Sequence, residues 1–307
     1  MEKSNIGIIG NGFVGKAVKE SFANHFNICV YDKDQRKSNV ENLTELIKKC
    51  KVIFMCLPTP MNTDGSCYLG ILEKTLKKID DYCDENDYYG NAQRTIIIKS
   101  TIIPGTTERW NKKYNRIDIA FNPEFLTEAN SIEDFKNQNR IIIGSTRKVG
   151  SIVKNIYSKV FPKVPIIKTS ATIAEMVKYF VNCFLATKVS FANEMYQICE
   201  KLDIDYDKVV EYAKYDERIG YSHLNVPGPD GDFGYGGHCL PKDVKALINV
   251  TINLGIQPHI LMATDNKNNV IRKNRDWEEM KGRAIVNTNT DEDYCSDNDI
   301  DLYLQTR

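Results

Sequence analysis

What the chain has little of narrows its possible functions first. It has no excess of charge of one sign: 41 Lys and Arg face 41 Asp and Glu, a formal net charge of zero. No sequence-wide field is left to hold nucleic acid or an anionic membrane, although a local basic site for a phosphate ligand is compatible with that balance. Long hydrophobic runs are missing too, since the longest wholly apolar stretch, Val52 to Leu57, has six residues where a bilayer span needs about 20. No signal-peptide pattern is expected, because MEKSNIGIIGNG leads through polar residues straight into a strand. The nine cysteines are an odd number without CxxC or CxxH spacing. That argues against a zinc site or a disulfide framework, favours a reducing cytoplasm, and leaves most thiols as core fillers, with no metal expected. Internal repeats at solenoid spacing are also absent. At 307 residues and 42% hydrophobic, the chain can bury a sizeable core as one large domain or two small ones.

What is present in the first half is an alternation of short apolar runs with amphipathic stretches. The runs are 6–10, 28–31, 52–57, 95–99, 117–121 and 141–144, closed by a seventh at 164–168. This rhythm predicts parallel βαβ units, a Rossmann-type doubly wound sheet, and near-continuous apolar strands predict helices on both faces. The acidic, polar stretch Asp80 to Arg94 reads as an exposed loop. From Thr172 to Leu202 a long amphipathic helix is expected, with Thr172 and Glu175 spaced as a capping box. Its stripe of Ile173, Met176, Val177, Phe180, Val181, Phe184 and Leu185 belongs to a helix longer than one small domain can wrap, so part of this face is expected on a second subunit. Residues 216–237 are rich in Gly and Pro, and helices are expected from Pro241 to Asn253 and from Pro258 to Lys273. The domains expected are 1–168, a helical 169–275, and 276–307, whose acidic end from Thr288 reads as a disordered tail.

Gly10-x-Gly12-x-x-Gly15 closes the first strand and opens a helix, and Asp32 closes the second strand. Gly10 permits a tight turn, Gly12 lets backbone approach a pyrophosphate, and Gly15 allows close packing of helix on strand. Asp32 would accept from a ribose 2′-hydroxyl and repel a 2′-phosphate, which favours NAD over NADP, with Lys33 and Arg36 nearby as cations able to oppose that preference. Lys178 and Asn182 share one face of the long helix, away from the apolar stripe; from spacing alone that face reads as solvated. Cys239 precedes a helix N-terminus, where the dipole lowers a thiol toward thiolate, and Asp243 follows by four. A buried inert thiol is the plainer alternative. Gly234, Gly236 and Gly237 serve either as a linker or to bring backbone close to a ligand. Glu124 and Glu128, with Ser100 and Thr101, fall at the carboxyl edge of the sheet where open α/β proteins bind ligands, though strand-end capping would also explain the last two.

Together GIIGNGFVG, CLPTPMNTDGS, KSTIIPGTT, FNPEFLTEA, MVKYFVNCFLATKVSFANE and above all GYGGHCLPKD resemble the UDP-glucose/GDP-mannose dehydrogenase family, most closely its UDP-glucose 6-dehydrogenases, across roughly residues 5 to 275. The resemblance implies oxidation of a sugar-nucleotide primary alcohol to a carboxylate with two NAD, through a thiohemiacetal and a thioester on Cys239. It implies Lys178 and Asn182 as stabilisers of the oxyanion, Asp243 orienting water or the lysine, and Thr101 and Glu124 holding the water and assisting proton transfer. Phe13, Val14, Thr59, Thr101 and Glu128 join Gly10, Gly12, Gly15 and Asp32 as the implied cofactor contacts. The implied substrate contacts are Glu124, Phe125, Leu126, Lys178, Asn182, Asn225, Tyr235 and Gly236, with Arg218 reaching the substrate of the neighbouring subunit of a homodimer. Family members continue into a second α/β domain that clasps the nucleotide, for which residues 240–307 leave no room, so an incomplete base site is expected. The loop 220–234 carries VPGPDGD and has Leu224 where a substrate-binding tyrosine is common, and His238 precedes the cysteine as a bystander or a local proton carrier. UDP-glucose is the implied substrate; the competing readings are GDP-mannose or another nucleotide sugar, a two-electron β-hydroxyacid dehydrogenase, and a non-catalytic NAD or sugar-nucleotide binder.

Overall fold

The computed structural model describes residues 3–287. Its chain divides into two compact units, one made of Leu69–Lys178 with the residues up to Thr59, the other of Pro60–Tyr68 with the residues from Tyr179 onward.

The first unit is built on seven strands, β1 Asn5–Ile9, β2 Asn27–Tyr31, β3 Val52–Met55, β4 Arg94–Ile98, β5 Ile117–Phe121, β6 Ile141–Gly144 and β7 Ile166–Thr169. Their spatial order is β2-β1-β3-β4-β5-β6-β7. All neighbours run parallel except β5 and β6, which meet antiparallel at Phe121 and Gly144, a departure from the wholly parallel sheet the strand rhythm predicts. The helices are α1 Phe13–Phe22, α2 Leu43–Lys49, α3 Gly70–Glu85, α4 Thr106–Lys113, α5 Ser131–Lys136 and α6 Arg147–Val160. Period-two alternation sorts the strand side chains into two cores. Ile9, Ile53, Met55 and Ile98 pack with Leu72, Ile79 and Trp110 on one side of the sheet. Ile8, Phe54, Ile97 and Ile143 pack with Phe22, Phe135 and Tyr157 on the other. Both faces are covered, as continuous apolar strands require, and each such side chain removed from water contributes about 1.5–3 kcal/mol.

The sheet order reverses direction between β1 and β3, where open α/β folds leave a crevice beyond the strand ends. β3 stops at Met55, and the Cys56 amide makes one more bond, to the Ile9 carbonyl at 2.8 Å. The acidic stretch read as a loop proves half helical, because Leu72, Leu76, Ile79 and Cys83 give α3 a buried stripe that carries the helix through Glu85 despite its acidic outer face. Arg94, at the far end of that stretch, is buried in β4 with its guanidinium donating to the carbonyls of Ile47 and Ala92.

The second unit is mostly helical, holding most of α7 Ala171–Leu202 together with α8 Tyr206–Ala213, α9 Leu240–Asn253 and α10 His259–Ile271. The boundary falls inside α7, not at residue 168, because the first turns of α7 belong to the first unit: a Cβ at Gly144 would stand 2.6 Å from that of Ala174. Segment 60–68 joins the second unit through Met61, whose N–H donates to the Ala284 carbonyl (2.8 Å) and whose carbonyl accepts from Val286 (3.0 Å). Residues 276–287 are therefore packed, with Trp277 buried, and are not a separate segment. The tail expected from Thr288 lies outside the described residues. Among the described residues no helix is long and apolar enough to cross a membrane.

Candidate active site

In the first unit the glycine loop has the three geometries its sequence calls for. Gly10 has φ of +89°, and a Cβ there would come within 2.5 Å of the Cys56 carbonyl oxygen. A Cβ on Gly15 would lie 1.9 Å from the Gly10 oxygen, so α1 rests directly on the turn. Gly12 is the N-cap residue of α1 at an exposed position, has no side chain of its own to cap the helix, and has nothing within 4 Å of a Cβ. A glycine N-cap leaves room for a pyrophosphate at the start of α1, which opens with Phe13 and Val14. Asp32 accepts from the Asn11 amide at 2.6 Å and from the Asp34 amide at 2.9 Å. With about four lone-pair positions on its carboxylate it keeps acceptor capacity for ribose hydroxyls. Arg36 is folded onto Asp34, at 2.9 and 3.0 Å, so its guanidinium is already engaged by a carboxylate. The loop fits NAD.

At the strand ends, Thr59 Oγ1 donates to the Thr101 carbonyl (2.8 Å) and Ser100 Oγ to the Leu57 carbonyl (2.5 Å), stitching together the segments after β3 and β4. Glu124, just past β5, is buried; its Oε2 accepts from the Leu126 amide at 2.7 Å. Lys178 Nζ donates to Glu124 twice, to the main-chain oxygen at 2.7 Å and to Oε1 at 2.9 Å, and stands 5.6 Å from the centre of the Phe125 ring. Burial alone would raise the Glu124 carboxyl, but the Lys178 ammonium, the bonds from Leu126 and Lys178, and the Lys99 charge together hold it below the usual carboxylate range.

In the second unit, Asn182 Nδ2 donates to Asp243 Oδ2 at 2.6 Å, and the neighbouring Lys242 ammonium donates to Asp243 Oδ1. All three are buried. Burial opposes the Lys242 charge, yet Asp243 and the sulfurs of Cys239 and Cys67 hold its ammonium above the ordinary lysine range. Cys239 is the N-cap residue of α9, whose first turn carries Pro241, Lys242 and Asp243. The glycine run before it is held down by side-chain acceptors, the Gly234 amide donating to Asn193 Oδ1 (3.1 Å), the Tyr235 amide to Asn268 Oδ1 (2.7 Å) and the Gly237 amide to Asp276 (3.0 Å). A Cβ on Gly236 would fall 2.2 Å from an Arg272 nitrogen. It is a built loop and not a linker.

Several sequence expectations change. Lys178 and Asn182 lie buried, whereas Ile173, Met176, Phe180 (69% exposed) and Phe184 (57%) of the apolar stripe face outward. Glu175 does not close a capping box on its own helix; fully buried, it accepts from the amides of Gly105 (2.6 Å) and Thr107 (2.9 Å) and so caps α4. Leu224 sits in a core cluster with Tyr206 and Val226, so that position presents no side chain to a ligand. Glu128 and Asn225 are on exposed loops, and Arg218, exposed, pairs with Asp216. Cys50, Cys83 and Cys183 are core thiols, and burial pushes Cys83 up to about 11. Sequence reasoning missed Lys242 and the buried Lys99. The available signal was electrostatic: a lysine in a helix's first turn opposes the dipole, and one directly after the apolar run Ile96–Ile98 places a charge at a buried strand end.

Comparison with known proteins matches residues 38–161 to the "UDP-glucose/GDP-mannose dehydrogenase family, NAD binding domain" and residues 172–270 to the same family's central domain. The UDP-glucose 6-dehydrogenase TuaD of Bacillus subtilis is 33% identical over 230 residues, 72% of this chain and 47% of that protein, so the chain spans about half of its length. The UDP-glucose 6-dehydrogenase AglM of Haloferax volcanii is 30% identical over 305 residues, 86% of this chain and 69% of that one. Among solved structures, a UDP-glucose dehydrogenase from Pyrobaculum islandicum superposes with a TM-score of 0.78 at 27% identity, covering 88% of this chain and 68% of its own.

Proposed function

The chain belongs to the UDP-glucose/GDP-mannose dehydrogenase family, and from that membership we propose that it oxidises the primary alcohol of a nucleotide sugar, UDP-glucose first among candidates, to the carboxylate. Gly10, Gly12, Gly15 and Asp32 would hold NAD, which would supply the hydride acceptor for each of two oxidations. In the first, Glu124 assists removal of the hydroxyl proton, through a water held by Thr101, while Lys178 and Asn182 stabilise the alkoxide by charge and by a hydrogen bond. The Cys239 thiolate then adds to the aldehyde carbon to give a thiohemiacetal. Loss of the second hydride leaves a thioester, and water, oriented by Asp243, releases the acid and regenerates the thiol. Lys242 fixes the Asp243 carboxylate. The reading is carried by Cys239 standing at the N-cap of the helix whose first turn holds the Lys242–Asp243–Asn182 network, because a hydroxyacid dehydrogenase or a mere binder has no use for a thiol so placed.

We also propose a homodimer, with the outward stripe of α7 as its contact, and activity in the cytoplasm, where the thiol stays reduced. The stripe supports the dimer because exposed apolar patches of this kind mark association sites.

The test is the NADH formed per UDP-glucose consumed, with GDP-mannose in parallel. Two NADH per sugar is the expected result. One NADH indicates a simple alcohol dehydrogenase, and none with either sugar points to another nucleotide sugar or to a binding protein. Cys239→Ala is expected to reduce acid formation to below about one-thousandth of wild type, and would leave a hydroxyacid dehydrogenase untouched.

A further inference from the structure

The amine of Lys99 has no part in the mechanism above, yet it is among the least exposed charges of the first unit. Lys99 directly follows β4 and is 3% exposed. Its Nζ donates to Asn122 Oδ1 at 2.8 Å and, more weakly, to the Pro123 carbonyl at 3.5 Å. Both acceptors are neutral, and among the described residues no carboxylate bonds to it. The Asn122 side chain is engaged at both ends: Oδ1 also accepts from the Tyr157 hydroxyl, and Nδ2 donates to the Ile142 carbonyl at 2.6 Å. Asn122, Pro123 and Glu124 are consecutive, leading straight off β5. Lys99 therefore grips the first two residues of the turn whose third is Glu124, and Lys178 grips the third. Around the Lys99 ammonium stand Glu124, Lys178 and Cys56, with Tyr157 across the shared amide. Burial lowers the amine to about 8, Cys56 and Glu124 draw it up, and Lys178 pushes it down.

Desolvating an ammonium with only neutral acceptors opposes folding, so its presence calls for a use. Resting on the dehydrogenase reading, we propose that Lys99 is a positioning residue for Glu124: its hydrogen bonds fix the Asn122–Glu124 turn, and its charge favours the ionised carboxylate that takes the substrate proton. The role differs from that of Lys178, which acts on the reacting oxygen.

Three variants separate charge from hydrogen bond. Lys99→Gln keeps a donor and loses the charge, Lys99→Arg keeps both, and Lys99→Met loses both. The Glu124 carboxyl is titrated by ¹³C NMR in labelled protein with NAD bound, alongside the pH dependence of kcat/KM for UDP-glucose. In Lys99→Gln the carboxyl midpoint and the acid limb are expected to move together to higher pH, because a lost neighbouring cation eases protonation. The kcat is expected to fall roughly 10- to 100-fold with KM changed less than about threefold, and Lys99→Arg to restore the limb. A midpoint unmoved in Lys99→Gln, or Lys99→Arg titrating like Lys99→Gln, overturns the proposal. If wild type forms no NADH from nucleotide sugars, the functional reading falls, while the NMR midpoint still decides what Lys99 does to Glu124. Should Lys99→Met fail to fold, Lys99→Gln carries the comparison alone.

Discussion

Three glycines spaced over six positions meet three different neighbours, and a single added methyl group tells them apart. Gly15→Ala drives a Cβ into the Gly10 carbonyl, at 1.9 Å, and is expected to cost about 1–3 kcal/mol or more in urea unfolding. Gly12→Ala meets nothing within 4 Å, so stability should stay within about 0.5 kcal/mol while NAD affinity, read by titration, falls because the methyl stands where a phosphate must approach. Equal destabilisation by both would mean that Gly12 is only a turn residue. The sequence made this distinction legible because the glycine pattern encodes backbone distance. It did not do so for Lys242, whose meaning depends on Asn182, 60 positions earlier in the chain, sharing Asp243 with it. Asp243→Ala leaves the Lys242 charge buried without its partner and is expected to destabilise by about 3 kcal/mol in the same assay, whatever it does to turnover.

Among the elements, α7 was legible in length, while spacing alone gave its Lys178 and Asn182 face as solvated when it is buried. Its 32 residues begin and end within one residue of where periodicity put them, since an uninterrupted amphipathic run without Gly or Pro has nothing to stop it. Periodicity marks an apolar stripe without saying what covers it, and here the polar face turns inward because Glu124 and Asp243 await Lys178 and Asn182. The capping-box reading of Glu175 failed for a related reason: its partners, Gly105 and Thr107, are distant in sequence and offered it two amides at another helix's N-terminus. Burial, resisted by those bonds, raises the Glu175 carboxyl from 4.5 to about 7. A folded value above the unfolded one means the native state binds the extra proton between those limits, so this group's contribution is complete below pH 4.5 and declines as pH rises toward 7. Relative to wild type, Glu175→Gln should therefore gain up to roughly 3 kcal/mol between pH 4.5 and 7, measured by urea unfolding at both ends. A pH-independent difference would show that the α4 amides fully offset the burial.

On the scale of the whole molecule, the strand-to-helix change near residue 168 suggested a simple boundary, but packing decided otherwise. Residues 60–68 leave the sheet's neighbourhood in the sequence and pair, through Met61, with residues 284–286, a contact no local pattern announces. The proposed dimer is tested at this scale too. Phe180 and Phe184 stack outward with ring centres 6.3 Å apart, and replacing both by Glu should convert a two-chain species to a one-chain species in sedimentation while leaving the far-UV spectrum unchanged. A wild type that already sediments as one chain would remove the dimer from the reading.

The sequence contains two tryptophans, and each unit buries one: Trp110, whose indole N–H donates to Glu73 at 2.8 Å, and Trp277. Both emit from dry surroundings in the native state and shift to the red when water reaches them. Trp110→Phe and Trp277→Phe turn the chain into a pair of single-colour reporters, one per unit, with no label attached. NAD added to either protein stabilises the unit that binds it, but only Trp110 reads that gain directly, and any part of it that Trp277 also reads measures how far the two units melt as one.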